Sequence, residues 1–191
     1  AKKYVFEKNL DERTFIELIT AFANIHNLDQ VKELLNSMKS GYEKAMTMSL
    51  VGKELFAKKN ISEMEYLLTE AIKTVPDLIG GQYSLGLPGF STKGRVFMEV
   101  AKAYALAEKF DKSHELLGLI ESDRFYKEGI SEIIIIQSRK DKIGARKLAL
   151  KMLEQGGTII DNKLMGTIAY AQAISGDIKN SLNTIKEMEI G

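Results

Sequence analysis

The chain has no cysteine among its 191 residues, which excludes disulfides, thiolate nucleophiles and cysteine-ligated zinc and agrees with a reducing compartment. Proline occurs only twice, at Pro76 and Pro88. Long proline-free stretches favour helices, because an internal proline removes a hydrogen bond and clashes with the preceding turn. An excess of one charge is missing as well: 27 basic residues face 26 acidic ones, a net charge of +1, so no whole-molecule field draws the chain to nucleic acid or membrane. Long apolar runs are absent too. The longest strongly apolar run, residues 133–136, falls far short of the roughly 20 residues that span a bilayer, and the N-terminus holds no apolar signal core. A cytoplasmic protein is expected, with no membrane insertion and no nucleic-acid partner.

What is present is enough apolar side chain for a folded core, at 45% hydrophobic and 28% charged residues, and a repeat. Similar phrases recur at Asn27-Leu28-Asp29-Gln30-Val31, Asn60-Ile61-Ser62-Glu63-Met64, Lys109-Phe110-Asp111-Lys112-Ser113 and Gly176-Asp177-Ile178-Lys179-Asn180-Ser181, with a weaker copy at Asp141-Lys142-Ile143-Gly144-Ala145. Each is a polar turn followed by a helix-initiating segment, with Asp29, Ser62 and Asp111 as candidate N-caps. Anchors at 31, 64, 113, 145 and 181 are separated by 33, 49, 32 and 36 residues. Three intervals lie near 34, and the fourth exceeds that period by about 15 residues, the arithmetic of a helical-hairpin repeat with one insertion.

Upstream of the anchors run i, i+3, i+4, i+7 apolar stripes: Phe15/Leu18/Ile19/Phe22, Met48/Val51/Gly52/Leu55, Phe97/Val100/Ala101/Tyr104 and Met165/Ile168/Ala169/Gln172. The pattern predicts helices near 12–26, 28–39, 43–58, 62–74, 94–108, 111–121, 124–140, 144–154, 160–175 and 178–189. Gly41, Gly80 and Gly156-Gly157 read as caps after the second helices.

These stripes and the period resemble the tetratricopeptide (TPR) family over nearly the whole chain. In that family a large apolar residue, a leucine followed by a small residue and an aromatic lie along the first helix, and a closing proline falls here on Pro76. The chain departs from the pattern at Ile19, at Gln172, and in the fourth repeat, where Gly129 and Glu132 occupy apolar positions unless the first helix slips by one residue. The resemblance implies an all-α, right-handed α–α superhelix, a solenoid of about five antiparallel helical hairpins. The approximate repeats are 12–44, 45–78, 94–125, 126–158 and 162–191, with a Gly-rich insertion at 79–93.

The resemblance also implies a concave groove lined by the first helices. Its positions are Arg13, Ile16, Thr20, Ala23 and Asn24, then Met46, Ser49, Lys53, Phe56 and Ala57, then Arg95, Met98, Lys102, Ala105 and Leu106. Lys127, Ile130, Ile134, Gln137 and Ser138 follow, and Lys163, Gly166, Tyr170, Ala173 and Ile174 complete the set. This is an apolar groove with a row of cations and no acid, suited to an acidic peptide or a C-terminal carboxylate; the plain alternative is a solvated face. Within it Arg13, Asn24, Lys53, Arg95, Lys102, Lys127, Lys163 and Tyr170 are the candidate partner-binding residues. Tyr83 and Phe90 of the insertion join them, if that loop is a binding element rather than a spacer. The insertion's glycines do not form a phosphate-binding loop, since no Gly-Lys-Ser/Thr closes the run.

His26 and His114 read as exposed structural residues, and Glu63 and Glu65 as solvated helix surface. No catalytic set is evident, so a non-enzymatic interaction module is expected, with no cofactor and no metal. The apolar residues Met188 and Ile190 close the sequence without a polar cap, which suggests further repeats in a longer chain or, as the alternative function, self-assembly through uncapped ends, including a homodimer through the terminal repeats.

Overall fold

The computed structural model describes residues 12–38, 41–75, 92–154 and 161–190, the side chains of residues 12, 13, 123, 189 and 190 excepted. Every regular element among them is an α-helix, and no strand occurs. The helices fall into two compact units, Ala1–Gly81 and Gln82–Gly191. The first holds α1 (Glu12–Asn24), α2 (Leu28–Ser37), α3 (Gly41–Ala57) and α4 (Ile61–Thr74). The second holds α5 (Thr92–Leu106), α6 (Phe110–Leu117), α7 (Asp123–Ser138), α8 (Lys142–Glu154), α9 (Asn162–Ile174) and α10 (Ile178–Ile190). Among the described residues no helix is long and apolar enough to cross a membrane.

In both units consecutive helices pack in pairs: α1 on α2 and α3 on α4, then α5 on α6, α7 on α8 and α9 on α10. The first helix of each pair also packs on the first helix of the next, α1 on α3 in one unit, α5 on α7 and α7 on α9 in the other.

One turn makes four of these pairs. After α1, His26 takes the left-handed conformation (φ 57°), its N–H donates to Ala23 O at 3.0 Å, and Asn27 N–H reaches back to Phe22 O at 2.9 Å. Lys59, Glu108 and Gly176 repeat this with φ of 62°, 60° and 88°, and Asn60, Lys109 and Asp177 donate to Leu55, Tyr104 and Gln172. This is the Schellman cap, which satisfies the last carbonyls of the first helix and turns the chain into the second. It also moves the second-helix starts upstream of the expected caps. Asn27 accepts from Gln30 N–H as the N-cap of α2, while Asp29 and Asp111 fall in first turns, where the helix dipole favours acids. Gly41, expected as a cap, instead begins α3; Pro76, Gly80 and Gly156-Gly157 lie outside the described residues.

The fourth turn differs. Arg139 stays right-handed (φ −74°) and Asp141 N–H donates to Gln137 O at 2.7 Å, four residues back rather than five. The turn is one residue shorter, so the α7 stripe shifts by one. Ile130, Ile133, Ile134 and Gln137 are buried at i, i+3, i+4, i+7 spacing. Ile130, Ile134 and Gln137, expected in a groove, therefore belong to the core. Gly129 sits where α7 crosses its neighbours; a Cβ there would lie 3.0 Å from Met98 Cγ and 3.1 Å from Leu117 Cδ2. Gly52 has the role expected of the small residue, since a Cβ on it would lie 2.7 Å from Leu68 Cδ2. Gln172, where an aromatic was expected, is buried and accepts a hydrogen bond from the Thr184 hydroxyl of α10 at 2.9 Å.

Candidate functional site

Of the ten expected partner-binding residues, Tyr83, Phe90 and the Arg13 side chain lie outside the described residues. Asn24 ends α1 and Lys53 lies on α3, both half-buried in the first unit. In the second unit Arg95 and Lys163 are exposed in the first turns of α5 and α9, and Tyr170 is exposed on α9.

The remaining two cations are paired with acids. Lys102 is only 13% exposed; its Nζ lies 3.0 Å from Glu99 Oε1 and 2.7 Å from Glu132 Oε2, so it ties α5 to α7. Burial alone would lower its pKa, but the hydrogen bonds to Glu132 and Glu99 outweigh it and hold the ammonium above its ordinary value. Lys127 of α7 lies 3.7 Å from Asp161, the N-cap of α9. The expectation of cations with no acid among them thus fails at Lys102 and Lys127: the first-helix face carries a cross-helix ladder of ion pairs. Several neighbouring groove positions are core instead, with Thr20, Ala23, Ser49, Met98, Ala105 and Ser138 all buried.

A second row of polar contacts runs along the turns. His26 Nδ1 lies 2.5 Å from Glu63 Oε1, and Asn60 Nδ2 donates to Ala23 O at 3.3 Å, joining the first two pairs. Glu63 is therefore no solvated residue; its side chain is 8% exposed and its Oε2 is buried without a hydrogen-bond partner. In the second unit Lys140 pairs with Glu108 at 2.9 Å, and Arg146 of α8 pairs with Asp177 ahead of α10. These contacts span 31 to 37 residues, about one repeat, yet no local pattern marks which polar residues meet.

One concavity within the second unit was not expected at all. It measures about 700 Å³ and lies between the second helices α6 and α8, with α7 as its floor. Leu117, Ile130, Leu148 and Met152 line its base, and the half-buried Tyr126 hydroxyl donates to Met152 Sδ at 3.2 Å. Burial holds the Tyr126 pKa above its ordinary value. His114 Nε2 lies 2.9 Å from Gln137 Oε1, Gln137 Nε2 donates to Asp141 Oδ2 at 3.1 Å, and Asp141 Oδ1 accepts from Gly144 N–H at 2.8 Å. Lys109 and Lys112 on one wall and Lys147 and Lys151 on the other line it beside Glu108, Asp111 and Asp141, with the Lys112 ammonium 5.2 Å from the centre of the Tyr104 ring on α5. Sequence reasoning missed this cleft because the TPR resemblance directs attention to first helices, whereas second helices form its walls. Among the described residues no group of three or more His, Asp or Glu side chains is placed to hold a metal ion. No family model matches the chain, and no curated protein or solved structure matches it.

Proposed function

We propose that the chain is a non-enzymatic protein–protein interaction module, a right-handed superhelix of TPR-like hairpins whose first helices present a surface to a peptide or partner protein. The observation that carries this reading is the recurrence of one turn. Left-handed residues stand at 26, 59, 108 and 176, intervals of 33, 49 and 68 residues, and the last is twice 34. Stacked copies of one supersecondary unit create extended surfaces suited to binding, and chemistry would instead require a convergent titratable set. Arg95, Lys163 and Tyr170 are exposed on first helices and supply two cations and an aromatic anchor, while Lys102 and Lys127 hold neighbouring helices together. The triple variant Arg95→Glu/Lys163→Glu/Tyr170→Ala is expected to lose the proteins that the immobilised native chain retains, as read by quantitative mass spectrometry. Equal retention by the folded variant would overturn this assignment.

A second reading, a self-assembling structural subunit, is favoured by one surface. Ile178, Leu182 and Ile185 form an exposed apolar stripe on α10. Ile185 holds the place, eight residues after the pre-helix residue, that Leu35, Leu68, Leu117 and Ala149 hold in the other pairs, and those four are buried. A concentration-independent monomer mass in light scattering would dispose of this alternative.

A further inference from the structure

The two units treat the space between their second helices differently, and the difference lies in a few aligned positions. In the first unit the gap between α2 and α4 is about 320 Å³. Lys32 of α2 reaches across it, with its Nζ 5.5 Å from the centre of the Tyr66 ring on α4, an attractive cation–π distance. Aligned on the residue preceding each second helix (Asn27, Asn60, Lys109 and Asp141), Lys32 corresponds to His114, Tyr66 to Lys147 and Glu70 to Lys151. The bridge across the first gap is thus replaced in the second by a histidine turned to the floor, where it bonds Gln137, and by a lysine on the opposite wall. The acid beyond it becomes a second lysine. The gap widens to about 700 Å³, well inside the range of roughly 300–1,000 Å³ typical of ligand sites, whose lower edge the first gap only just reaches.

We propose that the cleft between α6 and α8 is a binding site separate from the first-helix face, and that its ligand is an acidic amphipathic helix. That helix carries two carboxylates one turn apart beside an apolar anchor. Lys147 and Lys151 stand at i and i+4 on α8, about 6 Å apart along the axis, which matches glutamates at i and i+4 on an incoming helix. Both lysines are exposed and line the rim, placed to form charge-assisted bonds. Between the walls, Leu117, Ile130, Leu148 and Met152, each at most 9% exposed, form a shallow apolar base on which the anchor side chain rests, so the lysine–carboxylate pairs carry the specificity. Two of the three acids at the rim are occupied: Asp141 by Gly144 N–H and Gln137, Glu108 by Lys140. Asp111 is exposed on α6, and it biases the ligand's carboxylates toward the α8 wall.

The test uses the full chain and a fluorescent alanine-based helical peptide of about 15 residues, with glutamates at i and i+4 and a leucine on the same face. Its Glu→Gln and Glu→Lys counterparts serve as controls. Fluorescence anisotropy is expected to show the glutamate peptide binding at least about tenfold more tightly than either control, with affinity falling as salt rises. Backbone amide shifts are expected to concentrate on α6 and α8. Lys147→Glu/Lys151→Glu is expected to remove the preference, and Arg95→Glu on the first-helix face to leave it unchanged, so the two sites fail independently. A second variant, His114→Lys/Lys147→Tyr, recreates the bridge of the first unit and is expected to abolish binding while the chain stays folded, as read by far-ultraviolet circular dichroism. The proposal is overturned by equal binding of the three peptides, by no binding of the glutamate peptide, by shifts centred on other helices, or by unchanged affinity in the folded charge-reversal variant.

Discussion

Exchanging glycine and non-glycine residues at the repeated turn should move stability in opposite directions. At Gly176, φ is 88° and a Cβ would meet nothing within 4 Å, so Gly176→Ala adds no clash and its effect is confined to the backbone. A left-handed L-residue costs about 1–2 kcal/mol, and the stiffer unfolded chain returns about 0.4–1 kcal/mol, leaving a net loss of about 1 kcal/mol. Lys59, at φ 62° and exposed, is the mirror case: Lys59→Gly relieves the strain, pays the unfolded-state entropy, and should gain about 0.5–1 kcal/mol. Lys140 is the control. It stands at the same place in the fourth turn but is not among the positive-φ residues, so Lys140→Gly should lose about 0.5–1 kcal/mol as glycine does in ordinary backbone. Urea unfolding followed by far-ultraviolet circular dichroism reads these as shifts in midpoint at constant slope, and each variant is scored in the transition of its own unit if the two units unfold separately. Destabilisation by Lys59→Gly, or neutrality of Gly176→Ala, would refute the account of this turn as the device that spaces the pairs.

The helix glycines should also divide by their surroundings. Gly52→Val would press on Leu68 and is expected to cost about 2 kcal/mol, whereas Gly166→Ala, with only Met188 Cε at 3.8 Å, should gain about 0.5–1 kcal/mol of helix propensity; thermal unfolding of the pair checks both. His26→Asn would strip the buried Glu63 carboxylate of its hydrogen-bond partner and is expected to lose about 2 kcal/mol, while adding Glu63→Met should recover most of it. A double-mutant cycle in urea with no coupling would disprove that contact. Asp141 is held below the usual carboxylate pKa first by Gly144 N–H and then by Gln137, so it contributes stability above the unfolded carboxylate pKa of about 3.9 that is lost as pH falls toward its folded value. The urea midpoint of the native chain should therefore drop more steeply below about pH 4 than that of Asp141→Asn, which retains the similar slope of Asp177, whose pKa is likewise lowered, chiefly by Asn180.

Much of the local architecture follows from the sequence by itself. Apolar residues at helical spacing, two prolines in the whole chain and a recurrent polar turn suffice for an all-helical chain, because periodicity and breaker placement act within a single turn of backbone. Helix ends came within a few residues, and Gly52 was recognisable because close helix contact needs a small side chain. The tertiary structure decided what depends on partners about one repeat away. The α7 register turned on whether Asp141 N–H reaches four or five residues back, and a single hydrogen bond set which isoleucines are core. Lys102 and Lys127 read as binding cations until Glu99, Glu132 and Asp161 came within reach, and Glu63 read as surface until the next pair's packing buried it against His26. The cleft between α6 and α8 was invisible for the same reason. Its walls belong to helices about 30 residues apart, and whether such a gap is bridged, as it is by Lys32 and Tyr66, or left wider, as it is beside His114 and Lys147, is settled only when the side chains of neighbouring pairs face one another.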